Sequence, residues 1–200
     1  MKFKTLPMLC IPLALMLLAC KPNRSTGSGE TQTARQDLTE QAAVITPTDV
    51  QEFWEIVKIF YLDRAQNHNF ESDNRFETSF LKKFAVPLKE NDKIKKFAQN
   101  MFDFMESGTY NFVLHGISKK SKVSALPPKG MTDRDLEDFL QIVKTEYFKN
   151  VAGVQLQNFK AREIRFYAKV QGLPATAMPR QGDLLIIAGD IFNKIETGRK

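Results

Sequence analysis

Glu163-Ile164-Arg165-Phe166-Tyr167-Ala168-Lys169-Val170 is the stretch on which the fold class turns. Ile164, Phe166, Ala168 and Val170 alternate with Glu163, Arg165, Tyr167 and Lys169. A period of two puts one apolar face on a half-buried strand. Downstream, residues 183–188 and 191–195 flank Gly189-Asp190, a pair suited to a type II′ turn, and read as a β-hairpin. Residues 172–182, with Pro174 and Pro179, read as the loop between them. Residues 110–117 and 154–159 read as two further strands.

The first half of the chain reads as helices. Thr46-Pro47-Thr48-Asp49 offers a capping hydroxyl, a proline at the first helical position and an acid three residues after the cap. Val50, Phe53, Trp54, Val57, Phe60 and Tyr61 follow at helical spacing. A shorter helix carries Phe76, Phe80 and Phe84 and stops at Pro87. A third, capped at Asn91 or Asp92, has Ile94, Phe97, Ala98, Met101 and Met105 on its core face and ends at Gly108. Thr132-Asp133-Arg134-Asp135 opens a fourth, with Leu136, Phe139, Leu140, Val143 and Tyr147 as its stripe. Helices first and an antiparallel sheet mostly at the C-terminal end make the expected class α+β, with amphipathic helices covering one face of the sheet. That order is similar to NTF2-like and cystatin-like cones, which implies helices packed on a curved sheet.

Residues 46–61 align without a gap on 132–147. Identities fall at Thr46/Thr132, Asp49/Asp135, Phe53/Phe139, Ile56/Ile142, Val57/Val143, Lys58/Lys144 and Tyr61/Tyr147. Two readings are open: a duplication, or convergence of two capped amphipathic helices. Helices are expected after the first copy and strands after the second, so convergence is the expectation.

The N-terminus carries Lys2 and Lys4, an apolar run from Leu6 to Leu18, then Ala19-Cys20. A basic head, an apolar segment and a small residue at the cut site are the parts of a secretion signal. The run is too short for a spanning helix and is broken by Pro7 and Pro12. With a cysteine directly after the cut, residues 1–20 resemble the lipobox signal of bacterial lipoproteins. The resemblance implies cleavage between Ala19 and Cys20 and diacylglycerol plus a further acyl chain on Cys20. Lys21, rather than aspartate, follows the cysteine, which in a Gram-negative cell implies the periplasmic face of the outer membrane. The organisation expected is therefore a signal at 1–19, a lipidated Cys20 with a polar tether to 45, one domain at 46–197 and a tail at 198–200.

Loss of the signal takes Cys10 with it and leaves Cys20 to the lipid, so the mature domain has neither thiol nor disulfide. Packing alone must hold it, and the 16 phenylalanines of the chain fit that burden. The chain has 29 basic and 23 acidic residues; without Lys2 and Lys4 the mature net charge is +4, too mild for a nucleic-acid partner.

Chemistry is sparse in the sequence. His68 and His115 have no second histidine or cysteine at ligand spacing, so no metal is expected. No nucleophile elbow, phosphate loop or dinucleotide fingerprint occurs, and no cofactor is expected. Asp133, Asp135, Glu137 and Asp138 complement the start of a helix. The basic stretch from Lys82 to Lys129 holds ten lysines against Glu90, Asp92, Asp103 and Glu106. Lys119, Lys120 and Lys122, in an expected loop, are its candidate contacts with an anionic envelope surface or an envelope protein; the alternative is a solvated face. The function expected is a membrane-anchored, non-enzymatic binding or scaffolding lipoprotein of the cell envelope. The rival is a small-ligand binder or enzyme with an aromatic-lined pocket between sheet and helices.

Overall fold

The computed structural model describes residues 44–67, 74–107, 114–117 and 130–197. Six α-helices build the domain: α1 Pro47–Asn67, α2 Arg75–Lys83, α3 Asn91–Ser107, α4 Asp133–Gly153, α5 Ala161–Val170 and α6 Gln181–Thr197. A single 3-10 turn, Leu156–Asn158, precedes α5. No strand occurs among the described residues, and the domain is all-helical. The α+β expectation is thereby corrected, and with it the C-terminal sheet and the likeness to NTF2-like or cystatin-like cones.

The stretch 163–170 shows why. Glu163, Phe166, Tyr167 and Val170 are buried. They stand at i, i+3, i+4 and i+7, one face of a helix. The two-residue alternation coexists with this pattern because Ala168 is also buried and Ile164 is partly so. The expected hairpin is α6, whose buried residues Leu184, Ala188, Ile191, Phe192 and Ile195 again follow helical spacing. Gly189 lies inside that helix, where it costs about 1 kcal/mol relative to alanine. Burying four large apolar side chains, at roughly 1.5–3 kcal/mol each, outweighs it. Residues 154–159 form the 3-10 turn and its flanks. Of the expected strand at 110–117, residues 114–117 form a turn and the others lie outside the described residues. Gly116 there has φ +77°, and a Cβ on it would stand 3.2 Å from Val50 Cγ1.

The helical expectations for the first half hold, with one exchange. Both threonine caps form. The Thr46 N–H and hydroxyl donate to Asp49 at 2.8 and 2.6 Å, and those of Thr132 donate to Asp135 at 2.9 and 2.8 Å. In α2, however, Phe76 is exposed and Glu77 is buried with Phe80 and Leu81.

Two copies of one three-helix unit emerge. Helices α1 and α4 both have 21 residues, and α3 and α6 both have 17. Adding 86 to the residue number carries α1 onto α4 and α2 onto α5; adding 90 carries α3 onto α6. Convergence, expected because strands were to follow the second copy, loses that support. The contacts repeat with the units exchanged. Phe53 packs edge-on to Phe192 at 5.2 Å, and Phe139 to Phe102 at 5.2 Å. Phe53 meets Tyr147 at 5.4 Å, and Phe139 meets Tyr61 at 5.4 Å. Short helices cross over: α5 packs on α1 and α2 on α4. Lys169 at the end of α5 pairs with Asp49 at 2.7 Å, and Lys83 at the end of α2 pairs with Asp135. Residue i touching j′ while i′ touches j is the contact pattern of a twofold-symmetric dimer, here within one chain.

Candidate functional site

The sequence-predicted site residues are not among those described. Ala19 and Cys20 lie outside the described residues, as do Lys119, Lys120 and Lys122, and so does His68. His115 is exposed on the 114–117 turn, where its backbone N–H donates to the Ile195 carbonyl at 3.0 Å. Of the basic stretch, Lys83 is bound to Asp135 and Lys93 pairs with Glu90 at 2.7 Å. Within the acidic cluster, Asp135 is the cap and Arg134 pairs with Asp138 at 3.2 Å, as helix-start chemistry requires. No cluster of three or more metal-ligating side chains occurs among the described residues.

Trp54, Tyr61, Tyr147, Tyr167 and the phenylalanines 53, 102, 104, 139, 166 and 192 are fully buried, and most of these rings pack edge to face.

Each unit buries one tyrosine–glutamate pair, and the two differ. In the first, the Tyr61 hydroxyl donates to Glu77, and Arg64 donates to both Glu77 oxygens at 2.8 Å. Arg64 also reaches Glu146 at 3.1 Å, which accepts from Asn74 at 2.9 Å and from Lys149 at 2.7 Å. Burial pushes the Glu146 carboxyl up, but Lys149, Arg64 and Asn74 together hold it below its ordinary value. In the second, the Tyr147 hydroxyl donates to Glu163 at 3.1 Å and shares a 3.0 Å bond with Tyr167. Asn150 stands where the first unit has Arg64. Burial therefore wins at Glu163 and raises its carboxyl, against the hydrogen bonds from Tyr147 and the Lys160 backbone. Burial first, then the neighbouring carboxylate, keeps the Tyr61 phenol protonated; at Tyr147 the order is burial, Tyr167 and Glu163. Sequence reasoning missed both pairs. The signal was present as Tyr61/Tyr147 with a glutamate sixteen residues after each.

Two surface features also separate the units. The outer face of α6 carries Gly182, Leu185, Ile186, Gly189 and Asn193; the corresponding positions of α3 are Asp92, Lys95, Lys96, Gln99 and Asp103. Ile186 is 65% exposed and Leu185 42%, with Met178 exposed on the preceding loop. The other feature is a cleft of about 310 Å³ between α4 and α6, lined by Leu114, Arg134, Leu140, Gln141, Ile195 and Glu196, among others. No family model, no curated protein and no solved structure matches the chain.

Proposed function

We propose that the chain is a lipid-anchored lipoprotein of the cell envelope, and that its helical domain is a non-enzymatic binding module. The anchor rests on the lipobox-like residues 1–20 with Cys20 as the modified residue. The binding role rests on one observation: α6 exposes Leu185 and Ile186 where the matching positions of α3, in the same fold, are Lys95 and Lys96. Exposed paired aliphatic side chains on an otherwise wet helix mark a contact surface. Gly182 and Gly189 each sit one turn from them, on opposite sides, and a Cβ built on either meets nothing within 4 Å, so a backbone can approach closely. The occupant proposed is an apolar helix of another envelope protein. Lys119, Lys120 and Lys122 belong to the proposal as the electrostatic contact; their reversal to glutamate should weaken binding to anionic vesicles and flatten its salt dependence. The rival reading places its pocket between a sheet and helices, and no sheet occurs among the described residues.

The test combines anchor and face. Acyl labelling should be lost in Cys20→Ser; a labelled, membrane-bound mutant refutes the anchor. A photo-crosslinker at position 193, on the same face of α6, should give an adduct of the anchored protein with one heterologous protein. The Leu185→Lys/Ile186→Lys variant, which installs the residues of α3, should abolish it. No adduct, a homodimer only, or an adduct that survives the two lysines refutes the face.

A further inference from the structure

The cleft between α4 and α6 has an internal template. In the first unit Trp54 occupies the corresponding place between α1 and α3. Its indole is fully buried, packs edge-on to Phe102 at 5.5 Å, and donates its Nε1–H to Glu106 at 2.9 Å. Lys58 steadies that carboxylate from 2.7 Å. In the second unit the same carboxylate and lysine recur as Glu196 and Lys144, joined at 2.9 and 3.0 Å through both carboxylate oxygens. The phenylalanine recurs as Phe192, and Lys144 lies over its ring at 5.8 Å. The indole does not recur. Leu140 stands where Trp54 would be, α4 lies less closely along α6 than α1 along α3, and the cleft opens between Leu140 and Glu196.

We propose that this cleft binds a planar aromatic ring bearing an N–H donor, of the indole class, which lies against Leu140 and Ile195 and donates to Glu196. Three features of the walls carry this. Leu114, Leu140 and Ile195 form the apolar floor of the cleft, nearly buried in the free chain, over which a ring would lie. Glu196 supplies an acceptor already oriented by Lys144, with the Gln141 amide donating to the same oxygen at 3.2 Å. Arg134, Glu137 and Asp138 form a polar rim whose charges are paired with one another. An N–H facing a held carboxylate makes a charge-assisted bond, stronger than a neutral one. A ring without the donor would displace water from Glu196 without replacing its hydrogen bond, Lys144 and Gln141 remaining the carboxylate's partners, and should bind about ten- to a hundred-fold more weakly. The site is separate from the outer face of α6 and does not depend on the anchor.

The experiment titrates the full chain, by ligand-observed NMR and calorimetry, with N-acetyltryptophanamide and with its 1-methyl-indole analogue. The N–H compound should bind and the methylated one should be weaker by at least tenfold. Leu140→Trp, which copies the first unit, should abolish binding; Glu196→Gln, which keeps size and one acceptor, should weaken it at least fivefold even if the tryptophan variant folds poorly. A capped Ala-Trp-Ala peptide binding more tightly than the single residue identifies a tryptophan in a protein segment as the source; equal affinity identifies a free small molecule. No binding of the N–H probe, equal affinity of the two probes, or affinity unchanged in Glu196→Gln overturns the proposal.

Discussion

Replacing Glu77 and Glu163 by glutamine, one at a time, should separate two carboxylates that occupy matching places in the fold. Glu77 is 1% exposed and accepts from Tyr61 and from both nitrogens of the Arg64 fork. Breaking a buried pair by removing one partner costs about 3–5 kcal/mol. Arg64 keeps Glu146 at 3.1 Å, so about 2–3 kcal/mol is expected for Glu77→Gln. At roughly 2–4 °C per kcal/mol for a domain of this size, the midpoint should fall by about 4–12 °C. Glu163 has the tyrosine but no arginine, and burial raises its carboxyl. A carboxyl raised in the folded state favours folding while protonated; that contribution is complete below the unfolded value and is lost as pH rises through the folded one. Glutamine keeps an acceptor for Tyr147 and does not titrate. Glu163→Gln should therefore cost less than about 1 kcal/mol near the ordinary carboxylate range, and its stability relative to wild type should improve as pH rises. Urea unfolding from pH 4 to 8 measures both. Equal losses for the two variants at pH 7, or a Glu163→Gln difference that ignores pH, would refute the assignment of the contrast to Arg64.

The ends of the short helices give a second comparison. Ala85 and Gly172 each follow a helix in the left-handed region, φ +54° and +68°, and the next N–H reaches back to Leu81 at 3.0 Å and to Ala168 at 2.8 Å. Ala85→Gly should stabilise by about 0.5–1 kcal/mol and Gly172→Ala should cost about 1 kcal/mol in thermal unfolding. Asp49→Asn should cost about 1–2 kcal/mol, since the cap and the Lys169 pair weaken together. Burial raises the Asp49 carboxyl, but Lys169 and Thr46 outweigh it and hold it low; this contribution is present above the ordinary aspartate value and is lost as pH falls through the lowered one, so acid titration of wild type and mutant should converge. Fragments ending at 118 and beginning at 119 should each lack cooperative unfolding alone and regain it on mixing, as seen by circular dichroism, because α2 and α5 pack on the other unit.

The legibility of the fold divides along physical lines. Where a cap precedes a long periodic run, as at Thr46 and Thr132, helices are readable because hydroxyl, acid and apolar spacing all agree. At 163–170 they conflict. A buried glutamate is counted as an outward residue, and the face Glu163, Phe166, Tyr167, Val170 disappears from the pattern. The residue that hides the helix is the one that Tyr147 satisfies across the chain, a contact sixteen residues away. In α6, nearly continuous apolar sequence around Gly189 fits strand and helix alike, and burial against α1, α4 and α5 decides. The candidate surfaces were hidden for a related reason. Leu185 and Ile186 look like core residues until the helix is known, and the cleft at Glu196 has no signature until Trp54 is superposed on Leu140.

A twofold assembly made from two copies of one chain must display every amino-acid change twice. Here both units share one polypeptide, and that constraint is lifted. Tryptophan has gone one way and leucine the other at positions 54 and 140; lysines face the solvent on α3 and aliphatic side chains on α6. The common framework of caps, crossed lysines and paired aromatics is kept in both units while these positions differ. One unit is filled by Trp54 where the other leaves a cleft beside Leu140, an asymmetry that identical subunits of a homodimer do not encode in their sequence.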